Sequence, residues 1–345
     1  FIDRNVEKQQ NGYLGEQVIA PEKILQKVDE EHIIIVAMEK KAAEQVMRLL
    51  RTAGYIKALD CFYIEDFLDF YTYQQYAFFA ADKLMISSVC MIPSTVCNLK
   101  CKDCLNFSPY FKKHIIHDFT FVKRDIDTLF RWIDYTPRFQ VSGGEPLLNK
   151  DLGRTLVYLD ENYRNRIESI ETVINGSIVP GDELCRLMKE HRIKVYLDDY
   201  RENVPQLRET YTQTVEKLEK YGIEWIDNYV PEWFSLDVEH TEHSDMTDLQ
   251  LENYFDNCGS PWNCLENERL YSCNFAHFAA KAGIIEETEN DYFDLKDYSE
   301  VRKTELLEFL LKYTTKGYVD FCKKCAGWTS INPNLEDAAI QKAKE

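Results

Sequence analysis

The chain has 345 residues, 45% hydrophobic and 29% charged, an ordinary globular composition with length for two or three domains. No apolar run reaches the roughly 18 residues that a membrane helix needs, and a net charge of −18 disfavours nucleic acid and anionic lipid as partners. Eleven cysteines, an odd number, without a signal-peptide pattern point to metal or redox chemistry in a reducing, cytoplasmic compartment rather than to disulfides.

The chain opens on Phe1 without an initiator Met, which predicts a trimmed N-terminus. Residues 1–82 form the first predicted domain. "HIIIVAM" (32–38) reads as a buried strand. "EKKAAEQVMRLLRTAGY" follows as a helix, with apolar residues at three- and four-residue steps and Gly54 near its end. "IKALDCFYI" reads as a second strand and "EDFLDFYTYQQYAFFA" as a second helix. Two strands joined by a helix predict a small parallel, Rossmann-like sheet; no glycine fingerprint accompanies it, so no nucleotide site is assigned. The aromatic stripe at 67–79 is expected in core or interdomain packing.

The second predicted domain covers 83–232, where strands recur at intervals of roughly 30–50 residues with helices between, the rhythm of βα units. Strands are expected over 84–92, 138–144, 167–176, 193–199 and 223–228. Five or six units fit, too few for an eight-unit barrel, so an open, partial (β/α)6 barrel is predicted. After the first strand comes "TVCNLKCKDCLNF" (95–107), with Cys97, Cys101 and Cys104 spaced C-x3-C-x2-C. Thiolates suit zinc and iron–sulfur clusters. One reading is a Cys3His zinc knot completed by His114 or His117. The other is a four-iron cluster held at three corners, its fourth iron open. The second strand ends in "SGGEP" (142–146), where Gly143 and Gly144 let backbone approach a ligand and Glu145 adds a carboxylate, a setting for an amino acid's ammonium. "INGS" (174–177) ends the third strand. "LDDY" (197–200) ends the fourth, and Asp198, Asp199 and Tyr200 are candidates for substrate contact or for proton or hydrogen transfer. Active sites of βα barrels gather at this end of the strands. Lys100, Lys102, Lys112 and Lys113 form a local basic spot there, suited to a phosphate, a carboxylate or plain solvation.

Residues 233–345 form the third predicted domain. "HTEHSD" (240–245) is read as a solvated loop. "CLENERLYSC" reads as a hairpin with a polar turn at 266–268, "SEVRKTELLEFLLKYTTKG" as a helix and "NPNLEDAAIQKAKE" as a polar helical tail. Cys258, Cys264 and Cys273 flank the hairpin, and Cys322 and Cys325 form C-x2-C, so a zinc ribbon is the simplest account of this group. Cys61, Cys90 and Cys185 are expected to be buried as small hydrophobes.

C-x3-C-x2-C after the first strand and GGEP after the second together resemble the radical S-adenosylmethionine (SAM) superfamily over about 83–230. The resemblance implies that Cys97, Cys101 and Cys104 hold a [4Fe-4S] cluster whose open iron is chelated by SAM. It places Ser142, Gly143, Gly144 and Glu145 at the methionine end of SAM, and Asn175 and Ser177 at its ribose or carboxylate. Reductive cleavage of SAM would give a 5′-deoxyadenosyl radical that takes a hydrogen atom from the substrate. Asp103 stands where the family usually has an aromatic residue, so the usual adenine packing is not expected from that position.

The second cysteine group resembles the auxiliary-cluster extensions called SPASM or twitch domains. Five thiols suggest the shorter, one-cluster form, with Cys273, Cys322 and Cys325 as ligands and either Cys258 or Cys264 as the fourth; Glu268 stands where a glycine is usual. Enzymes of this layout oxidise or epimerise sugars and aminocyclitols, or modify ribosomal peptides. The Rossmann-like start, in place of a peptide-binding wing, favours a carbohydrate or nucleotide sugar. A flavodoxin or ferredoxin is the implied electron donor, and a zinc-stabilised interaction protein is the non-enzymatic alternative.

Overall fold

The computed structural model describes residues 1–26, 33–55, 60–68, 72–258, 262–312, 316–328, 332 and 334–342. It divides into two compact units, Phe1–Thr72 and Tyr73–Glu345.

The first unit begins with helix α1 (Val6–Asn11) and then builds strand β1 (Ile34–Val36), helix α2 (Lys40–Thr52), strand β2 (Cys61–Tyr63) and helix α3 (Ile64–Phe67). β1 and β2 pair in parallel, the βαβ arrangement read from the sequence. Ala43, Met47 and Leu50 recur at helical spacing and meet Ile34, Val36 and Cys61 in one small core. The outer parts of the two predicted strands, at 32 and 56–59, lie outside the described residues.

The second unit opens with α4 (Tyr73–Ala81). Its aromatic stripe is only partly buried: Tyr76 is 68% and Phe79 is 74% exposed. Aromatics sit on every side of this helix, and a helix can bury only the face it turns to a core. Four βα units and a fifth strand follow: β3 (Val89–Met91), α5 (Phe119–Trp132), β4 (Thr136–Val141), α6 (Leu152–Tyr163), β5 (Ile167–Ile174), α7 (Asp182–Glu190), β6 (Lys194–Asp198), α8 (Arg208–Tyr221) and β7 (Trp225–Asn228). The strands lie in the order β3-β4-β5-β6-β7, all parallel. That order never reverses, and α5 to α8 pack each against the next, so all four right-handed crossovers put their helices on one face. This is a partial barrel and not a doubly wound sheet, which would reverse order at a switch point. The first strand is shorter than expected: 84–86 holds on by a single bridge, Met85 to Tyr135, before regular pairing starts at Val89.

The rest of the chain supplies β8 (Glu232–Phe234), α9 (Asp248–Cys258), β9 (Asn263–Glu266), β10 (Arg269–Tyr271), α10 (Asn274–Lys281), β11 (Tyr292–Asp294), α11 (Lys303–Leu310) and β12 (Leu335–Asp337). The predicted hairpin is β9–β10, and β9 pairs in parallel with β3, so hairpin and barrel share one eight-stranded sheet. The tail read as a polar helix is extended instead. β12 pairs antiparallel with β8, and the chain then runs on against the three-cysteine loop. Local helix propensity at 335–342 is outweighed by backbone pairing on both sides.

Two buried carboxylates lock the hairpin. Asn267 and Glu268 both have positive φ, 55° and 56°, the type I′ turn that usually calls for Asn-Gly. A non-glycine residue held there costs about 1 kcal/mol or more. Asp125 on α5, 1% exposed, offsets that by accepting the Asn267 and Glu268 N–H groups at 2.6 and 2.9 Å. Thr128 and Arg124 hold the Glu268 carboxylate from the same helix. Behind the hairpin, Glu266 faces His117 Nε2 at 2.8 Å, His277 Nε2 at 2.9 Å and Lys281 Nζ at 2.8 Å. Burial alone would raise its carboxyl. The hydrogen bonds of His117 and His277 and the nearby Lys281 hold it far below the usual carboxylate range.

Replacing Asp125 by Ala strands two buried N–H groups, and urea unfolding should show a loss of about 2–4 kcal/mol, with Asp125→Asn losing less. Glu266→Gln removes one partner of a buried charged cluster and should cost about 3–5 kcal/mol at pH 7. Because the folded Glu266 carboxyl lies below its unfolded value of about 4.3, its contribution is fully present above about pH 5 and is lost as pH falls. The stability gap between wild type and Glu266→Gln should therefore shrink by about 1 kcal/mol between pH 7 and pH 3.5.

Candidate active site

The loop carrying Cys97, Cys101 and Cys104 leaves the C-terminal end of β3 and is gripped by the segment leaving β4. Gly144 N–H donates to Ser94 O at 2.9 Å, and Glu145 N–H to Val96 O at 2.8 Å. A Cβ at Gly144 would sit 2.4 Å from Val96 O, and one at Gly143 would sit 2.8 Å from Ser94 O. The two glycines thus serve first to let one backbone lie directly on the other, a use the sequence reading assigned to ligand approach. Asn106 closes the loop from the far side by donating to Gly143 O, and Ser142 N–H donates back to Met91 O on β3.

Glu145 is 1% exposed and both its oxygens accept backbone N–H groups, Leu147 at 2.9 Å and Asn175 at 2.8 Å. Burial lifts its carboxyl to about 7 against these two bonds, with Asp198 adding to the rise. The side chain is a brace between the ends of β4 and β5. Asn175 in turn reaches the three-cysteine loop, its amide 3.7 Å from Cys97 Sγ and 3.2 Å from Asn98 Oδ1. Ser177 Oγ joins the same network through Asn98.

At the end of β6 the two aspartates part, as side chains alternate along a strand. Asp198 turns inward and accepts from Tyr200 O–H at 2.7 Å and Asn228 Nδ2 at 2.6 Å. Burial raises its carboxyl to about 6 against those bonds. Tyr200 packs with Leu99, Cys101 and Cys104 and stands edge-on to Trp233 at 5.3 Å. Asp199 is turned elsewhere, in a two-pronged ion pair with Arg201 at 2.7 Å, and the structure does not bring it to the other two.

The three thiols occupy one neighbourhood. Burial pushes Cys97 up to about 11, with Cys104 and Glu145 adding, and Cys101 up to about 12, with Cys104 and Cys97 adding. The histidines of the zinc-knot reading are engaged elsewhere: His114 Nδ1 lies 3.2 Å from Thr95 Oγ1 and His117 is held at Glu266. Among the described residues, no three His, Cys, Asp or Glu side chains converge on a single metal ion's coordination sphere. A further contact on this loop had no signal in the sequence: Gln341, from the extended tail, donates to Cys101 Sγ at 3.2 Å. Asp103 accepts from Ser235 Oγ at 2.5 Å and lines a cavity of about 760 Å³ with Cys104, Tyr110, Asp237, Glu336 and Lys342.

The second cysteine group separates four thiols from the fifth. Cys258 ends α9, Cys273 caps α10 by accepting Ala276 N–H, Cys322 lies in a short 3-10 helix (Asp320–Lys324), and Cys325 accepts Gly327 N–H. After burial, the largest influences on Cys322 are Cys273, Cys258 and Cys325, and on Cys325 they include Cys258 and Cys273. Cys264 sits on β9 opposite Cys90 of β3, and the thiol that acts on it is Cys90. Cys61, Cys90 and Cys185 are buried, as expected. Of the "HTEHSD" histidines, His240 is exposed, whereas His243 turns inward with Nδ1 3.0 Å from Cys322 O, packed against Tyr254. Backbone anchoring beside a cysteine, not solvation, sets its place.

Residues 91–231 match the sequence model of the Radical SAM superfamily. No curated protein matches the chain. Among solved structures it is similar to native anSMEcpe with bound AdoMet, at 15% identity and a TM-score of 0.44, covering 74% of this chain and 92% of that one. It is similar to BtrN in complex with AdoMet and 2-DOIA, at 19% identity and a TM-score of 0.42, covering 73% and 97%. It is also similar to SuiB from Streptococcus suis, at 12% identity and a TM-score of 0.35, covering 80% and 54%. At such identities these likenesses bear on no residue's role. Among the described residues no helix is long and apolar enough to cross a membrane. The family match coincides with the five parallel strands and the three-cysteine loop: the chain carries a radical SAM domain over residues 91–231.

Proposed function

We propose that the chain reductively cleaves SAM and abstracts a hydrogen atom from a small, sugar-type substrate, with a second cluster held by its C-terminal region. The observation that carries this reading is the three-thiol loop clamped to the GGEP segment inside the radical SAM domain. Three soft donors on one loop, Cys101 buried and Cys97 and Cys104 half-buried, suit a cluster left open at one iron. When bound, the reduced cluster with SAM supplies the electron that splits the C5′–S bond and so delivers a 5′-deoxyadenosyl radical.

The chain's own part is placement. Cys97, Cys101 and Cys104 hold the group, and the backbone at 142–145 gives the methionine end its edge. Asn175 and Ser177, joined through Asn98, are the polar contacts beside Cys97. Asp198 and Tyr200 face the same interior; Asp198, with its carboxyl near 6, is the group placed to hold a substrate proton at Oδ2, shared with the phenol. Asp199, tied to Arg201, keeps a structural role.

Cys258, Cys273, Cys322 and Cys325 are the proposed ligands of the auxiliary, twitch-type cluster, and Cys264 is not one. The cavity beside Cys104 supports a small polar substrate: carboxylates and lysines ring it, and Phe107 and Tyr110 give it apolar faces, the mix that holds hydroxyl or amino groups and the C–H side of a ring. A cytoplasmic setting and a flavodoxin- or ferredoxin-type donor fit this chemistry.

Anaerobically reconstituted protein should hold about eight irons and eight sulfides, as two four-iron clusters require. Cys101→Ala should abolish 5′-deoxyadenosine formation from SAM and reductant while keeping about half the iron. Cys258→Ala should lose the other half and Cys264→Ala none; the reverse pattern in that last pair would overturn the ligand assignment. Aminocyclitols or nucleotide sugars should accelerate 5′-deoxyadenosine release, and acceleration by peptides alone would transfer the substrate to the ribosomal-peptide class.

A further inference from the structure

The extended tail is tied to the three-cysteine loop over three successive residues. Lys102 N–H donates to Ile340 O at 2.7 Å and Lys342 N–H to Lys100 O at 2.7 Å, an antiparallel pairing with Cys101 opposite Gln341. The tail is anchored on its other side as well, since Asn203 Nδ2 donates to Ala338 O at 2.9 Å and Ala338 N–H to Pro231 O at 3.0 Å. Ala339, fully buried, packs with Cys101, Val204 and Leu207.

The Gln341 carboxamide has only one orientation open to it. Its Oε1 accepts the Lys100 N–H at 2.8 Å, so the oxygen must face that amide. Nε2 is then turned to Ala339 O at 2.7 Å and to Cys101 Sγ at 3.2 Å, using both its protons. The sulfur of Cys101, a residue only 7% exposed, thus receives a fixed N–H donor from a residue 240 positions further along the chain.

We propose that Gln341 is a positioning residue for the SAM-binding cluster, fixing Cys101 and setting the cluster's reduction potential through its N–H···S hydrogen bond. This rests on the reading that Cys97, Cys101 and Cys104 ligate that cluster. The physical basis is charge. Reduction adds one negative charge to the cluster and its sulfurs, and a donor aimed at a ligating sulfur stabilises the reduced form more than the oxidised one. With water largely excluded around Cys101, that preference is weakly screened.

The test is an anaerobic redox titration of reconstituted protein, following the electron paramagnetic resonance signal that SAM perturbs, with iron and sulfide measured on each sample. Gln341→Leu keeps the volume and removes the donor; it should retain its iron and move the midpoint to a lower potential. Gln341→Glu places a carboxylate without an N–H beside the sulfur and should move it further the same way. A chain ending at Ala339 should reproduce at least the Leu shift, which guards against an effect peculiar to one side chain. Unchanged midpoints in all three, at full iron content, would overturn the proposal. Iron and the SAM-sensitive signal surviving in Cys101→Ala would instead sink the ligand reading beneath it, a separate outcome.

Discussion

The site depends on one backbone contact. The segment leaving β4 lies flat on the loop leaving β3, and it does so because position 144 carries no side chain. From that contact the rest follows in order. Glu145 is drawn inside, where its two oxygens are taken by Leu147 and Asn175. Asn175 is thereby turned to Asn98 and Cys97, and the ends of three adjacent strands become one unit. A buried carboxylate is costly unless its lone pairs are used, and here the use is structural. The acidic residue in the motif supports the site from below while backbone and thiols form its face.

The second cysteine group is built differently. Its four thiols come from a helix end, a helix cap and a short 3-10 turn, elements with few strand contacts of their own. Their stiffness is borrowed from the hairpin. Asp125 and the Glu266 cluster fasten that hairpin to α5 and to the segment at 117, which itself descends from the first cysteine loop. Both cysteine groups therefore hang on the same eight-stranded sheet.

Much of this was legible in the sequence, and the reasons differ by element. The βα rhythm from 84 to 228 was readable because buried parallel strands are short apolar runs and their helices carry clean amphipathic spacing, as in α5 and α7. The cysteine clusters were readable because close spacing in sequence keeps thiols near one another in space. What escaped was which partner each side chain takes. Asp199, read as facing the site, pairs with Arg201 two residues on, and Glu145 spends its oxygens on Leu147 and Asn175. The tail carries helix-forming residues throughout, and only its two pairing partners, at 232–234 and 100–102, make it extended. The separation of Cys258 from Cys264 needed the register that sets Cys264 against Cys90.

The pairing of β3 with β9 also orders events in time. Val89 is opposite Asn263, and Cys101 is opposite Gln341. On the ribosome, the five strands and their four helices can assemble as they emerge, yet the first strand keeps a bare edge until the hairpin is synthesised. The sulfur of Cys101 keeps an open flank longer still, until the segment around Gln341 emerges. That flank is covered only after both cysteine groups have been synthesised, because the segment that covers it follows Cys325 in the chain.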